Sequence, residues 1–148
     1  MMIMNQRMIA YSDDLRPQLL TVWEQSVLAT HDFLKPADFT AIRDLVRTID
    51  FSQFQIFCTM DECTLTGFVG VQGRKVEMLF IDPNYFRRGL GRKLMNHVMT
   101  ELDADQVDVN EQNTMAVLFY QSLGFAVYER ADLDDQGHEY PLLRMKRK

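Results

Sequence analysis

The sequence predicts a mixed α/β domain in which helices cover both faces of one central β-sheet. Apolar residues recur at helical spacing between residues 15 and 27, whereas much of residues 53–81 alternates with the period of β-strands. A glycine-containing turn then leads into another amphipathic segment. The resulting element order is β-α-α-β-β-β-α-β-α-β-β. A chain of 148 residues with 47% hydrophobic content fits one domain spanning residues 1–148.

The first three elements are a strand and two helices. The strand is predicted at residues 2–10, and Ser12 or Asp13 can cap the helix that follows. One face of that helix carries Leu15, Leu19, Val22, Trp23 and Val27. Pro36 suits the first turn of the second helix, which we expect to end near Ile49.

Three strands follow. The first two are predicted at Gln53–Met60 and Thr64–Val71 and are joined at Asp61-Glu62. The third is predicted at Lys75–Ile81. Both faces of the third strand are largely apolar, which is typical of a central strand covered on both sides. Its alternation places Met78 and Phe80 on one face and Glu77, Leu79 and Ile81 on the other.

The remaining elements begin after Asp82-Pro83-Asn84, which ends the third strand because proline has no N–H for the ladder. They are a helix with Leu90, Leu94, Val98 and Leu102 on one face, a strand at Gln106–Asn110, a helix at about 113–123, and a closing hairpin of Phe125–Ala131 and Glu139–Met145.

Composition narrows the functional classes. The net charge of −5 argues against a general nucleic-acid-binding surface. No apolar run reaches the length of a membrane span, and residues 1–8 lack the features of a signal peptide, so we expect a cytoplasmic protein that does not bind membranes. Cys58 and Cys63 form no metal-ligand pattern, so no metal is expected. They could face each other across a hairpin, but reduced thiols are the expected state in the cytoplasm.

The segment FIDPNYFRRGLGRKLM, residues 80–95, combines two glycines with four nearby cationic side chains at a strand-to-helix junction. A helix N-terminus offers unpaired N–H groups and the positive end of the helix dipole, which suits a phosphate group. The Walker A pattern is absent. The dinucleotide pattern GxGxxG is also absent, because Leu94 stands where its third glycine belongs. On its own, the junction is equally consistent with a glycine turn carrying surface arginines.

A second motif follows about twenty residues later. Asn113, Ala116 and Tyr120 fall on one side of the predicted helix, and Gly124-Phe125 ends it and opens the next strand. Together the two motifs resemble the GNAT superfamily of acyl-CoA-dependent N-acetyltransferases. In that family the first motif is [QR]xxGx[GA] and the second is Asn-x-x-Ala-x-x-x-Tyr-x-x-x-Gly-Phe. Phe86 replaces the usual Gln or Arg of the first motif.

The resemblance implies a mostly antiparallel sheet of about seven strands and acetyl-CoA as co-substrate. It places the pantetheine arm along Leu79, Phe80 and Ile81, with the Leu79 N–H donating to the thioester carbonyl, a typical oxyanion contact. Asn113 would bind the same arm. The pyrophosphate would contact Phe86, Arg87, Arg88, Gly89, Leu90, Gly91 and Arg92.

The resemblance also implies the catalytic roles. Tyr120 would protonate the departing thiolate, a role for which an ordinary phenol is already protonated at neutral pH. Asp108 or Glu77 would take the proton of the acceptor amine, and we prefer Asp108 because related N-terminal-amine acetyltransferases use an acidic residue there. Each could instead be a solvated carboxylate at a strand end. His31 and Asp32 are candidates for acceptor binding, but His31 could equally cap the helix and contact only backbone.

The acceptor is expected to be a small-molecule or peptide amine, and the acidic balance favours a cationic one. We expect a monomer or a homodimer. Two alternatives remain at this point: a CoA-binding regulatory or sensor module without turnover, and a protein-interaction domain whose glycine loop binds nothing.

Overall fold

A computed structural model describes residues 6–148, and it confirms the predicted order of elements. The strands and helices are β1 Gln6–Ala10, α1 Arg16–Thr30, α2 Pro36–Val46, β2 Gln55–Asp61, β3 Thr64–Gln72, β4 Lys75–Ile81, α3 Leu90–Glu101, β5 Gln106–Asn110, α4 Thr114–Ser122, β6 Phe125–Ala131 and β7 Leu142–Arg147. Residues 2–5 of the predicted first strand lie outside the described residues. No helix among the described residues is long and apolar enough to cross a membrane.

The seven strands form one sheet in the order β1-β2-β3-β4-β5-β7-β6. β4 and β5 run parallel, and the other neighbouring pairs run antiparallel. The prediction of a mixed, mostly antiparallel sheet is therefore confirmed. The parallel pair is a consequence of the α3 crossover, because parallel neighbours cannot be joined by a short hairpin.

Each face of the sheet has its own apolar core. On one face, the predicted stripe of α1 is buried together with Phe51, Phe68 and residues of β2. On the other face, Leu94, Met95 and Val98 of α3 pack with Tyr120 and Leu123 against the sheet. β4 contributes to both cores, since Met78 and Phe80 contact the first and Leu79 and Ile81 contact the second. Helices on both faces are therefore confirmed.

Several predicted boundaries differ from the structure, and β2 begins at Gln55 rather than Gln53 because Phe51–Gln53 forms a 3-10 turn. A short 3-10 turn, Asp13–Leu15, precedes α1, and Ser12 makes no side-chain capping bond to it. α2 ends at Val46 rather than near Ile49. β7 begins at Leu142 rather than Glu139, because Pro141 lacks an N–H and the Tyr140 hydroxyl is bonded to α2.

The two cysteines are free. Cys58 is buried in β2 opposite Phe68, whereas Cys63 is exposed in the turn between β2 and β3. That turn is made by Glu62 and Cys63 rather than by Asp61-Glu62, because Asp61 still pairs with Thr64. The predicted facing of the two cysteines across the hairpin is therefore wrong, and the reduced state fits the structure.

Candidate active site

The central feature of the site is an opening between β4 and β5. Within the described residues the two strands pair only at Lys75 with Gln106 and at Val76 with Val107. Directly after this point the register between β3 and β4 shifts, so that Val71 faces Val76 and Gly70 faces Met78. Glu77 is the extra residue of this bulge. A bulge bends a strand and increases its local twist, which accounts for the separation of β4 from β5 beyond Val76.

The edge of β4 that faces this opening carries backbone donors. The Asp82 N–H donates to the Thr66 carbonyl of β3 over 2.8 Å, so these two residues form a hydrogen-bonded pair of the antiparallel ladder. Bonding alternates along such a ladder, and Phe80 therefore also bonds toward β3. The backbone N–H groups of Leu79 and Ile81 consequently point to the opposite side, into the opening.

The glycine turn lies at one end of the opening. Gly89 precedes α3 with a φ of 78°, and Arg87 also has a positive φ of 63°. Leu90 then starts the helix, whose first-turn N–H groups have no carbonyl partner within the helix. The Phe86 N–H is already engaged, because it donates to the Pro83 carbonyl over 3.3 Å. The predicted anion contact is thus better served by the amides that follow Phe86.

A cavity of about 420 Å³ connects the turn with the open edge of β4. Among the residues predicted to bind cofactor, the cavity brings together Leu79, Phe80, Ile81, Phe86, Arg87, Gly89, Leu90, Gly91, Arg92, Asn113 and Tyr120. Arg88 does not line it, and its guanidinium instead lies 5.1 Å from the centre of the Tyr85 ring. The Arg92 guanidinium donates to the Ser122 hydroxyl over 3.1 Å, so α3 and α4 are joined at the rim.

Asn113 and Tyr120 lie together on α4, as their spacing predicts. Asn113 is the N-cap residue, and its side-chain oxygen accepts from the Ala116 N–H over 3.2 Å. Tyr120 is buried, and its ring packs edge-on against Phe119 and Phe125. Burial raises the pKa of the Tyr120 hydroxyl, so it keeps its proton at neutral pH. A protonated hydroxyl at this position is able to donate to a developing thiolate.

A second cavity of about 240 Å³ shares His31, Leu79, Phe80, Asn113, Ala116 and Tyr120 with the first. It is also lined by Glu77 and Asp108, the two carboxylates proposed as proton acceptors. The site therefore has one arm toward the glycine turn and one toward these carboxylates. Tyr120 borders both arms.

Asp108 is held in an ion cluster. Its Oδ2 atom accepts from Lys75 Nζ at 2.8 Å and from Arg144 Nη1 at 2.6 Å, which joins β4, β5 and β7. The Asp108 side chain is only 14% exposed. Both cations contact the same carboxylate oxygen, and they come from the strands on either side of β5. The structure therefore favours a structural role for Asp108, contrary to our preference from the sequence.

Glu77 makes a looser contact with Lys75 than Asp108 does. Its carboxylate lies 3.9 Å from Lys75 Nζ, and its side chain is 32% exposed. Partial burial raises the pKa of Glu77, Lys75 opposes this shift, and the negative charges of Asp108 and Asp135 add to it. A carboxylate with a raised pKa is a stronger base, which suits a group that removes a proton from an amine.

His31 lies at the C-terminal end of α1 and lines both cavities, whereas Asp32 is exposed and lines neither. Burial lowers the pKa of the His31 imidazole, and the charge of Asp32 partly offsets this. Sequence reasoning missed several residues that line the first cavity, namely Ser26, Thr30, Met115 and Phe119. Ser26 and Thr30 lie four residues apart on one helix face, but neither lies three or four residues from His31, so the helical period gave no signal that links them to His31.

Comparison with known proteins shows the family. The profile of the acetyltransferase (GNAT) domain matches residues 23–146. The chain belongs to the GNAT family. It is 38% identical over 128 residues to the peptidyl-lysine N-acetyltransferase YjaB of Salmonella typhimurium, which covers 86% of this chain and 88% of that protein.

Two solved structures show the same fold. The apo form of YjaB from Escherichia coli has a TM-score of 0.88 and 35% identity, and the match covers 97% of each chain. The PaiA N-acetyltransferase of Thermoplasma acidophilum, solved in complex with coenzyme A, has a TM-score of 0.76 at 17% identity, with 98% of this chain and 100% of that one covered. This chain is therefore an N-acetyltransferase of the GNAT type, and acetyltransferases of this family use acetyl-CoA. A module without turnover is not favoured.

Proposed function

We propose that this GNAT acetyltransferase, as a single domain spanning residues 1–148, transfers the acetyl group of acetyl-CoA to the side-chain amine of a lysine in a peptide or protein. The observation that carries the proposal is the pair of joined cavities. One runs from the glycine turn along the open edge of β4, and the other contains Glu77. Tyr120 lies where the two meet.

The residues of the first cavity fit acetyl-CoA. The arm of coenzyme A contains amide groups, for which the free N–H groups of Leu79 and Ile81 are suitable partners. Its phosphates carry negative charge, which suits the first turn of α3 together with Arg87 and Arg92. Acetyl-CoA supplies the acetyl group as a thioester, which an amine can attack directly.

Each residue then has a defined task. The Leu79 N–H donates to the thioester carbonyl oxygen, where negative charge develops during attack. Glu77 accepts a proton from the acceptor ammonium, which leaves the neutral amine with a lone pair. Tyr120 donates its proton to the departing sulfur, and its hydroxyl is restored by the second proton that the attacking nitrogen loses as the amide forms. The reaction consumes a lysine ammonium and acetyl-CoA, and it yields acetyl-lysine, coenzyme A and one proton.

A lysine acceptor is supported by three observations. The second cavity carries the carboxylate of Glu77, which attracts an ammonium group. The chain as a whole has a net charge of −5. The similar YjaB of Salmonella typhimurium bears the name peptidyl-lysine N-acetyltransferase.

The test uses three peptides of one background sequence: an N-terminally blocked peptide with one internal lysine, the same blocked peptide with arginine in place of lysine, and the lysine-free peptide with a free N-terminus. Mass spectrometry follows acetylation with acetyl-CoA. We expect acetylation of the lysine peptide alone, and Tyr120→Phe should slow it by about 10²–10⁴-fold. Acetylation of the free N-terminus alone, or of none of the peptides while acetyl-CoA binds, would contradict a lysine acceptor.

A further inference from the structure

The hydrogen bonds around His31 define which of its ring nitrogens carries a proton. The Thr30 hydroxyl oxygen lies 2.8 Å from the Ser26 carbonyl oxygen and 2.7 Å from His31 Nδ1. Each of these two contacts needs one hydrogen, but the hydroxyl has only one to give. The carbonyl oxygen can only accept, so the hydroxyl hydrogen goes to Ser26. His31 Nδ1 must therefore donate its own hydrogen to the Thr30 oxygen.

The other ring nitrogen is then fixed as an acceptor. A neutral imidazole has one N–H and one nitrogen with a lone pair, so the Nδ1–H form leaves the lone pair on Nε2. Burial lowers the pKa of His31, which favours this neutral form at neutral pH. Because Nδ1 is turned toward Thr30, Nε2 is the ring nitrogen that remains for a molecule in the cavities that His31 lines.

We propose that His31, held as the Nδ1–H tautomer by Thr30, binds the acceptor amine by accepting one of its N–H hydrogens at Nε2. The inference rests on the proposed function and deepens it, because it assigns the residue that orients the acceptor. Glu77 and His31 both border the second cavity, so a lysine ammonium there can offer one hydrogen to each. Glu77 takes a proton from the ammonium. His31 keeps its hydrogen bond to the resulting amine and so restrains the direction of the amine during attack.

The polarity of His31 matters for this role. A histidine with a hydrogen on Nε2, whether neutral or cationic, would present a donor to the lysine ammonium, which can only donate. Thr30 is thus a positioning residue, since it acts through the ring and not on the acceptor. The other ionisable groups that border the cavities with His31 are Glu77 on β4, Asp108 on β5, Tyr120 on α4, and Tyr85, Arg87 and Arg92 near the glycine turn.

Two matched variants test the inference with the blocked lysine peptide as acceptor. Thr30→Val keeps the shape of the side chain but removes the acceptor of the Nδ1 hydrogen, so the ring no longer has a fixed tautomer. We expect the KM for the peptide to rise about tenfold, the size of one lost hydrogen bond, with a much smaller change in kcat. Thr30→Ser retains the hydroxyl and should restore the wild-type KM. Because Thr30 also lines the first cavity, the acetyl-CoA dissociation constant is measured alongside, and a rise in it as large as the rise in KM would overturn the assignment.

Nitrogen NMR of the wild-type protein labelled at histidine gives the direct readout. We expect the His31 signals of a protonated Nδ1 and a bare Nε2, with the Nε2 signal shifting when the lysine peptide is added together with coenzyme A. Three results would overturn the assignment: a protonated Nε2, an Nε2 signal that does not shift when the peptide is added, or equal KM values for Thr30→Val and Thr30→Ser. These results are separable from failure of the proposed function, in which the wild-type enzyme acetylates no lysine peptide.

Discussion

Loss of charge at the two carboxylates of the second cavity should affect different properties, namely stability for one and the rate of acetyl transfer for the other. Asp108→Asn should reduce stability, because it removes the negative charge between Lys75 and Arg144. Glu77→Gln should reduce the rate of acetyl transfer, because it removes the proton acceptor. Each amide keeps nearly the shape of its acid, so neither substitution opens a cavity in the protein.

The exposure of the ion cluster sets how much free energy of unfolding Asp108→Asn should cost. Breaking a fully buried ion pair costs about 3–5 kcal/mol, whereas exposed pairs contribute about 0–1 kcal/mol. The side chains of Asp108, Arg144 and Lys75 are 14%, 24% and 31% exposed, which lies between these limits. We therefore expect a loss of about 1–3 kcal/mol, or roughly 3–10 °C in the unfolding midpoint of a chain of this size.

Glu77 has one ion pair, at 3.9 Å, and its side chain is a third exposed. Its substitution should change the free energy of unfolding by no more than about 0.5 kcal/mol. Loss of a general base typically lowers kcat by about 10²–10⁴-fold. Thermal unfolding and initial rates with the lysine peptide measure both quantities on both variants. If Asp108→Asn were stable but inactive and Glu77→Gln active, the assignment of the two carboxylates would be refuted.

Three further outcomes are expected. Gly89→Ala places a Cβ at φ 78° in open space, so the substitution strains the turn by about 1 kcal/mol. This strain should weaken acetyl-CoA binding, as measured by calorimetric titration. Gly73→Ala, at φ 63° in the β3–β4 turn, is the control, because it carries similar strain and should not affect binding. In the native protein, iodoacetamide should modify exposed Cys63 and spare Cys58, since burial raises the Cys58 pKa to about 12, and equal modification would contradict the fold of β2. The rate should rise with pH as Glu77 ionises, at a higher pH than an unshifted glutamate would give, and Glu77→Gln should remove this dependence.

Much of the fold follows from periodicity in the sequence. The change from helical spacing to alternation, with the prolines and glycines between segments, predicted the order of the described α-helices and strands but not the short 3-10 turns. The alternation within β4 also separated Met78 and Phe80 from Leu79 and Ile81, and the two cores confirm that division. Boundaries were less accurate, because the start of β7 depends on a tertiary contact between Tyr140 and α2.

The roles of the carboxylates could not be read in the same way. Asp108 and Glu77 look alike in the sequence, since both are acidic residues in apolar strands. What separates them is the position of Lys75 and Arg144, which lie 33 and 36 residues away from Asp108 along the chain. The bulge at Glu77 is equally invisible, because it arises from the register between β3 and β4.

The central claim is that acetyl-CoA lies along the open edge of β4, and exchange of individual backbone amides tests it directly. The Leu79 N–H faces the opening, whereas the Phe80 N–H bonds to β3 and serves as an internal control. Measured by NMR, Leu79 should exchange quickly in the free protein and slowly with saturating acetyl-CoA, while Phe80 should be protected in both. If Leu79 exchanged equally fast with acetyl-CoA bound, the cofactor would have to lie elsewhere.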